Sequence, residues 1–120
     1  MSERYWIGFD LDGTLADYGH GEFNPSTIGE PVKPILDKLK EYLRAGKKVK
    51  IFTARVAHDD TERSIRDAYL SKIAIKKWMK KHIGEELEIT SCKDYYLTHF
   101  YDDRAVQVER NTGKILGKDL

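Results

Sequence analysis

Two aspartates one residue apart, Asp10 and Asp12, end an apolar run and are followed at once by a glycine and a threonine, in the stretch Trp6-Ile7-Gly8-Phe9-Asp10-Leu11-Asp12-Gly13-Thr14-Leu15. In an extended chain, residues two apart point to the same side. If the strand geometry persists one step further, both carboxylates leave the strand tip together. Two like charges that close are costly without a counter-charge, so such a pair is usually metal-bound, proton-sharing or both. The bland alternative is a polar turn after a buried strand. Gly13 supplies the permissive backbone for the chain to turn away.

More polar groups stand at or just beyond other strand-like runs: Thr53 and Arg55 after Val49-Lys50-Ile51-Phe52, Lys93 after Leu87 to Ser91, and Asp102-Asp103 after Leu97 to Tyr101. In a parallel α/β sheet the carboxyl ends of all strands face one crevice. Carboxylates from the first and fourth strands would meet there, a donor set suited to a hard cation such as magnesium. The Thr53 hydroxyl, backbone N–H groups after the first strand and the Lys93 ammonium are fitting donors for phosphate oxygens.

The elements that must hold these groups can be read from periodicity. Tyr5 to Phe9 is continuously apolar, as suits a central parallel strand covered on both faces. Ala16 to Pro31 has no period and reads as a long loop passing over the aspartate end of that strand. Val32, Ile35, Leu36, Leu39 and Leu43 predict an amphipathic helix over Pro31 to Ala45, with Pro31 and Pro34 in its first turn and Gly46 at its end. Val49 to Thr53 is the next strand, and strand-helix-strand at this spacing implies a right-handed crossover and a parallel pair.

Thr61 to Ile83 is helical, either as one helix capped near Asp59-Asp60-Thr61-Glu62 or as two, the second capped by Ser71. Its basic residues Lys76, Lys77, Lys80 and Lys81 read as a solvated face, with nucleic-acid contact the lesser reading. Leu87 to Ser91 and Leu97 to Tyr101 make the third and fourth strands. Ala105 to Glu109 and Ile115-Leu116, around the turn Asn111-Thr112-Gly113-Lys114, predict a hairpin on the sheet edge.

The chain has 120 residues, the size of one domain, here residues 1–120. Its 21 basic and 20 acidic residues nearly cancel, so no global charge points to nucleic acid or a membrane surface. No secretory pattern opens the chain and no apolar run has bilayer length, so a soluble, cytoplasmic protein is expected. The one cysteine, Cys92, cannot form an internal disulfide and reads as a small buried filler. His20 and His58 fall in loops, and His82 and His99 read as structural.

Taken together, these segments resemble the haloacid dehalogenase-like superfamily. Asp10-Leu11-Asp12-Gly13-Thr14-Leu15 is similar to its first motif, Ile51-Phe52-Thr53 to its second, Lys93 to its third and Tyr101-Asp102-Asp103 to its fourth. Asp102-Asp103-Arg104-Ala105-Val106-Gln107-Val108 also resembles small phage-encoded members, and Asp-Asp-Arg the phosphatase domain of phage polynucleotide kinase. The resemblance implies a three-layer αβα, Rossmann-like fold with a mainly parallel central sheet. It implies phosphomonoester hydrolysis, with Asp10 as the nucleophile that forms an aspartyl-phosphate and Asp12 as general acid and then base.

Magnesium would be held by the Asp10 carboxylate, the Asp12 carbonyl and Asp102 or Asp103. The phosphoryl group would meet Thr53, Lys93 and groups of Leu11, Asp12, Ala54 and Arg55. For Arg55 and Arg104 two readings stand, contact with substrate or structural pairing with Asp59, Asp60 or Asp102. Only Ala16 to Pro31 separates the first motif from the next helix, so the chain resembles a member without a cap domain. An open crevice admits a small phosphorylated molecule, a nucleic-acid end or a phosphoprotein, or else needs a second subunit to cover it. Two alternatives stand beside hydrolysis: a noncatalytic phosphate- or nucleotide-binding module, and phosphoryl transfer between metabolites.

Overall fold

A computed structural model describes residues 4–19 and 21–117. Strands β1 (Trp6–Phe9), β2 (Val49–Phe52), β3 (Glu88–Thr90) and β4 (Leu97–Tyr101) form a parallel sheet in the order β3-β2-β1-β4. Helix α1 (Lys33–Arg44) joins β1 to β2, and α2 (Glu62–His82) joins β2 to β3. Both connections step the same way across the sheet, and right-handed crossovers in one direction put both helices on one face. The core agrees with this. Ile7, Phe9, Val49 and Ile51 pack with Leu36 and Leu39 of α1 and with Ile75, Trp78 and Met79 of α2 in one buried cluster.

The other face carries Trp6, Gly8, Lys50, Phe52 and Phe100, and among the described residues no helix covers it. Trp6 is nonetheless only 1% exposed. The Lys50 ammonium lies 4.4 Å over its ring, its indole N–H donates to Asp94 at 2.8 Å, and Phe52 stacks beside it. Gly8 leaves the space: a Cβ there would stand 3.0 Å from the Trp6 ring and 3.1 Å from Leu97. The third layer implied by the resemblance is thus not found among the described residues. The chain between β3 and β4, residues 91–96, must pass β2 and β1 and has no length left for a helix.

Element boundaries follow local hydrogen bonding. Pro34 sits in the first turn of α1. Pro31 lies outside it, because its backbone bridges Ala16 and the next N–H, that of Val32, donates to the Leu15 carbonyl at 2.8 Å. The second helical segment is one helix capped by Thr61, whose hydroxyl oxygen accepts the Ser64 N–H at 3.2 Å. Ser71 is interior to it and donates to the Pro25 carbonyl at 3.0 Å. The expected hairpin is present as β5 (Gln107–Val108) and β6 (Ile115–Leu116), with Asn111 and Gly113 at positive φ in its turn. It is a separate two-stranded sheet rather than an extension of the main sheet's edge. The Asp102 carboxylate accepts the Arg104 N–H at 2.7 Å, in a turn just after β4.

Candidate active site

Beyond β1 the chain makes one tight turn. The Leu11 carbonyl accepts the N–H groups of Thr14, Leu15 and Ala16, and the Gly13 N–H donates to Ala16 at 2.8 Å. Leu11 and Leu15 are fully buried and anchor this turn in the core. Gly13 has φ +86°, and a Cβ on it would lie 2.6 Å from the Asp103 carboxylate. Both facts demand glycine.

The neighbouring strand delivers the other carboxylates. Tyr101 stacks on Phe9 at 4.5 Å, and its carbonyl accepts the Asp10 N–H at 2.9 Å, so the ends of β4 and β1 are locked side by side. Carboxylate oxygens of Asp10, Asp102 and Asp103 consequently lie within 4.8 Å of one another. Thr14, which sequence reasoning did not single out, is seated among them. Its hydroxyl oxygen accepts the Asp103 N–H at 2.9 Å, and its proton faces Asp103 Oδ1 at 3.1 Å and Asp10 Oδ2 at 3.4 Å. Its one sequence signal is its place four residues after Asp10 and two after Asp12.

This crowding raises the Asp10 carboxyl to about 7, first through burial, then through its hydrogen bond with Asp103 and the charge of Asp102. A cation among the three would remove that penalty. The donors are all oxygen and fit a hard divalent ion.

Asp12 leads elsewhere. Arg55 grips it with two hydrogen bonds, Nε to Oδ2 at 2.7 Å and Nη2 to Oδ1 at 2.9 Å. The guanidinium also stacks 4.9 Å from the Phe23 ring centre and points Nη1 at the Asn24 and Pro25 carbonyls at 3.4 Å. Arg55 therefore pairs with none of Asp59, Asp60 and Asp102. Asp59 accepts hydrogen bonds from Ser64 and Thr61 at the start of α2, which hold its carboxyl down at about 2. Asp60 faces His58 at 3.2 Å.

Asp10, Asp12, Thr53, Ala54, Arg55, Asp102 and Asp103 all line one cavity of about 500 Å³, with Tyr18, Phe23 and Phe52 on its walls and Arg104 beside Asp103. Thr53 is 2% exposed and accepts the Arg55 N–H at 3.2 Å. Leu11 contributes its backbone N–H, which hydrogen-bonds the Asp10 carboxylate. Lys93 is not part of this lining. It is exposed, in the connection between β3 and β4.

Cys92 beside it is exposed too, correcting the expectation of a buried filler, because that connection runs over the surface. Helix α2 starts near the cavity and returns to the opposite end of the sheet. Lys76, Lys77, Lys80 and Lys81 are thus carried away from the site, with Lys80 paired to Glu86 at 3.0 Å. His20 lies outside the described residues. His99 is exposed beside the Thr98 hydroxyl, and His82 packs on Trp78. Among the described residues, no helix is long and apolar enough to cross a membrane.

Compared with known proteins, the chain matches no family model and no curated protein. Among solved structures it is similar to that of a conserved protein coded by a locus from Bacteroides thetaiotaomicron. The TM-score is 0.51 and the identity 20%, over 84% of this chain and 77% of that one. At that identity the likeness is one of fold.

Proposed function

We propose that the chain is a magnesium-dependent phosphomonoesterase, a small haloacid dehalogenase-like hydrolase without a cap domain, with Asp10 as nucleophile. The observation that carries this is the meeting of the Asp10, Asp102 and Asp103 carboxylates beside Asp12 and Thr53, in one cavity. An Asp10 carboxylate oxygen attacks phosphorus and the bond to the leaving-group oxygen breaks, that oxygen taking a proton from Asp12. Water then gives a proton to Asp12 and attacks phosphorus, the bond to Asp10 breaks, and phosphate leaves with Asp10 restored. The Thr53 hydroxyl orients a phosphoryl oxygen, and the Leu11 N–H, bonded to the Asp10 carboxylate, holds the nucleophile in place. Magnesium, held by Asp10, Asp102 and Asp103, would offset the charge of the carboxylates and phosphate. To donate its proton, Asp12 must first loosen from Arg55.

The experiment is phosphate release from an aryl phosphate, mononucleotides, sugar phosphates and 3′- or 5′-phosphorylated oligonucleotides, with and without magnesium. Release that needs the metal and disappears in Asp10→Asn is expected; release retained in that variant removes Asp10 as nucleophile. The Arg55 grip on Asp12 favours a second reading, a noncatalytic phosphate-binding module. Phosphate-ester binding without turnover at any magnesium concentration selects it.

A further inference from the structure

Resting on the phosphatase reading, we propose that Tyr18 and Phe23 form a leaving-group subsite that selects phosphomonoesters whose leaving group carries a flat aromatic ring. The two side chains are 45% and 48% exposed, yet they belong to the wall of the cavity that holds Asp10 and Thr53. Large apolar groups scattered singly over a surface need no explanation. Two of them lining the same cavity as a carboxylate cluster, together with Phe52, give that cavity both charged groups and flat apolar ones. An aromatic phosphate ester has both kinds of group, and ring-on-ring contact favours it over an aliphatic ester of equal charge.

The loop carrying these rings is anchored on either side of them. At its base the Asp17 N–H donates to the Glu30 carbonyl at 2.7 Å, and the Val32 N–H donates to that of Leu15. Along its length Ser71 and the Trp78 indole donate to the Pro25 and Gly29 carbonyls at 3.0 and 2.9 Å. Such anchoring lowers the ordering cost that a ligand meets. A cavity of about 500 Å³ suits a small-molecule ester and not a phosphoprotein surface. A nucleobase and a simple aryl group share the chemistry recognised here.

The test uses the full chain carrying Asp10→Asn, with magnesium, titrated calorimetrically with phenyl phosphate, adenosine 5′-monophosphate and glycerol phosphate. At least one aromatic ester should bind about tenfold more tightly than glycerol phosphate. Tyr18→Ala and Phe23→Ala should each shrink that preference, and Phe23→Tyr should keep it. Phe23 also supports Arg55, but a loss transmitted through Arg55 weakens all three esters alike and leaves the ratio intact. An intact ratio in both alanine variants, equal binding of all three esters, or no binding overturns the subsite. Whether the unsubstituted chain releases phosphate is scored separately, so the enzyme reading can fail while the binding ratio still decides the subsite. The better-bound aromatic ester tells nucleobase from aryl group.

Discussion

Asp10 concentrates the electrostatic cost of the site. Its carboxyl lies at about 7 in the folded chain against 3.8 for the free side chain. Between those values the folded chain holds a proton that the unfolded chain has released. Without a divalent cation, stability should therefore fall as pH rises from about 4 to about 7 and stay lowered above. Magnesium should raise the melting temperature little at pH 5 and by on the order of 5 °C at pH 8. Equal gains at both pH values would remove the cluster as the cation site. Asp59 has the opposite sign: its depressed carboxyl, at about 2, stabilises above the ordinary carboxylate range and is lost only as pH falls toward 2. Thr53 and Lys93 can be separated in the same way. Thr53→Ala should cost roughly 100-fold in phosphate release, whereas Lys93→Ala, outside the cavity, should cost less than about tenfold. A larger loss for Lys93 would mean that the connection between β3 and β4 closes on the substrate.

Among the elements, the turn after β1 carries the most constraint. Gly13→Ala introduces a side chain at φ +86° and places it against the Asp103 carboxylate. A loss of about 1–2 kcal/mol is expected from the backbone alone, together with weaker magnesium binding because Asp103 must move. Denaturant melts and a metal titration on one sample read both effects, and a fall in stability with unchanged metal affinity would take Asp103 out of the cation site. Helix α2 depends on its first turn, where Thr61 accepts the Ser64 N–H. Thr61→Ala should cost about 1 kcal/mol, read as a shift in urea midpoint at constant slope. The long loop behaves as an element because Gly29 lets it pass close to Asp17: any Cβ on Gly29 would collide with the Asp17 carbonyl.

At the scale of the molecule, two helices crowd one face of the sheet, while on the other, side chains bury Trp6 and leave Phe100 partly exposed. Trp6 is the centre of that second face, and Asp94, from the chain between β3 and β4, satisfies its indole N–H. Replacing Asp94 by Leu leaves a buried donor without a partner, whereas Asn keeps an accepting oxygen. The Leu variant should therefore unfold at distinctly lower urea than the Asn variant. Equal midpoints would show that water reaches Trp6 and that this face is open.

Local pattern in the chain was enough to place four strands, the first helix and the turn chemistry, because alternation and the 3.6-residue period are properties of short windows. It also placed Asp10 and Asp102-Asp103 at strand ends, since each directly follows a strand-like run. What folding decided was who meets whom. Thr14 reaches Asp103 across 89 positions, and Arg55 reaches Asp12 across 43. Both meetings depend on how aperiodic turns lie over the strand ends. Lys93 stands outside the cavity because the chain from β3 to β4 has by Asp94 reached Trp6 at the start of β1, the end opposite Asp10. Both helices share a face because two crossovers of one hand step in one direction, and that follows from strand order, which no short window contains.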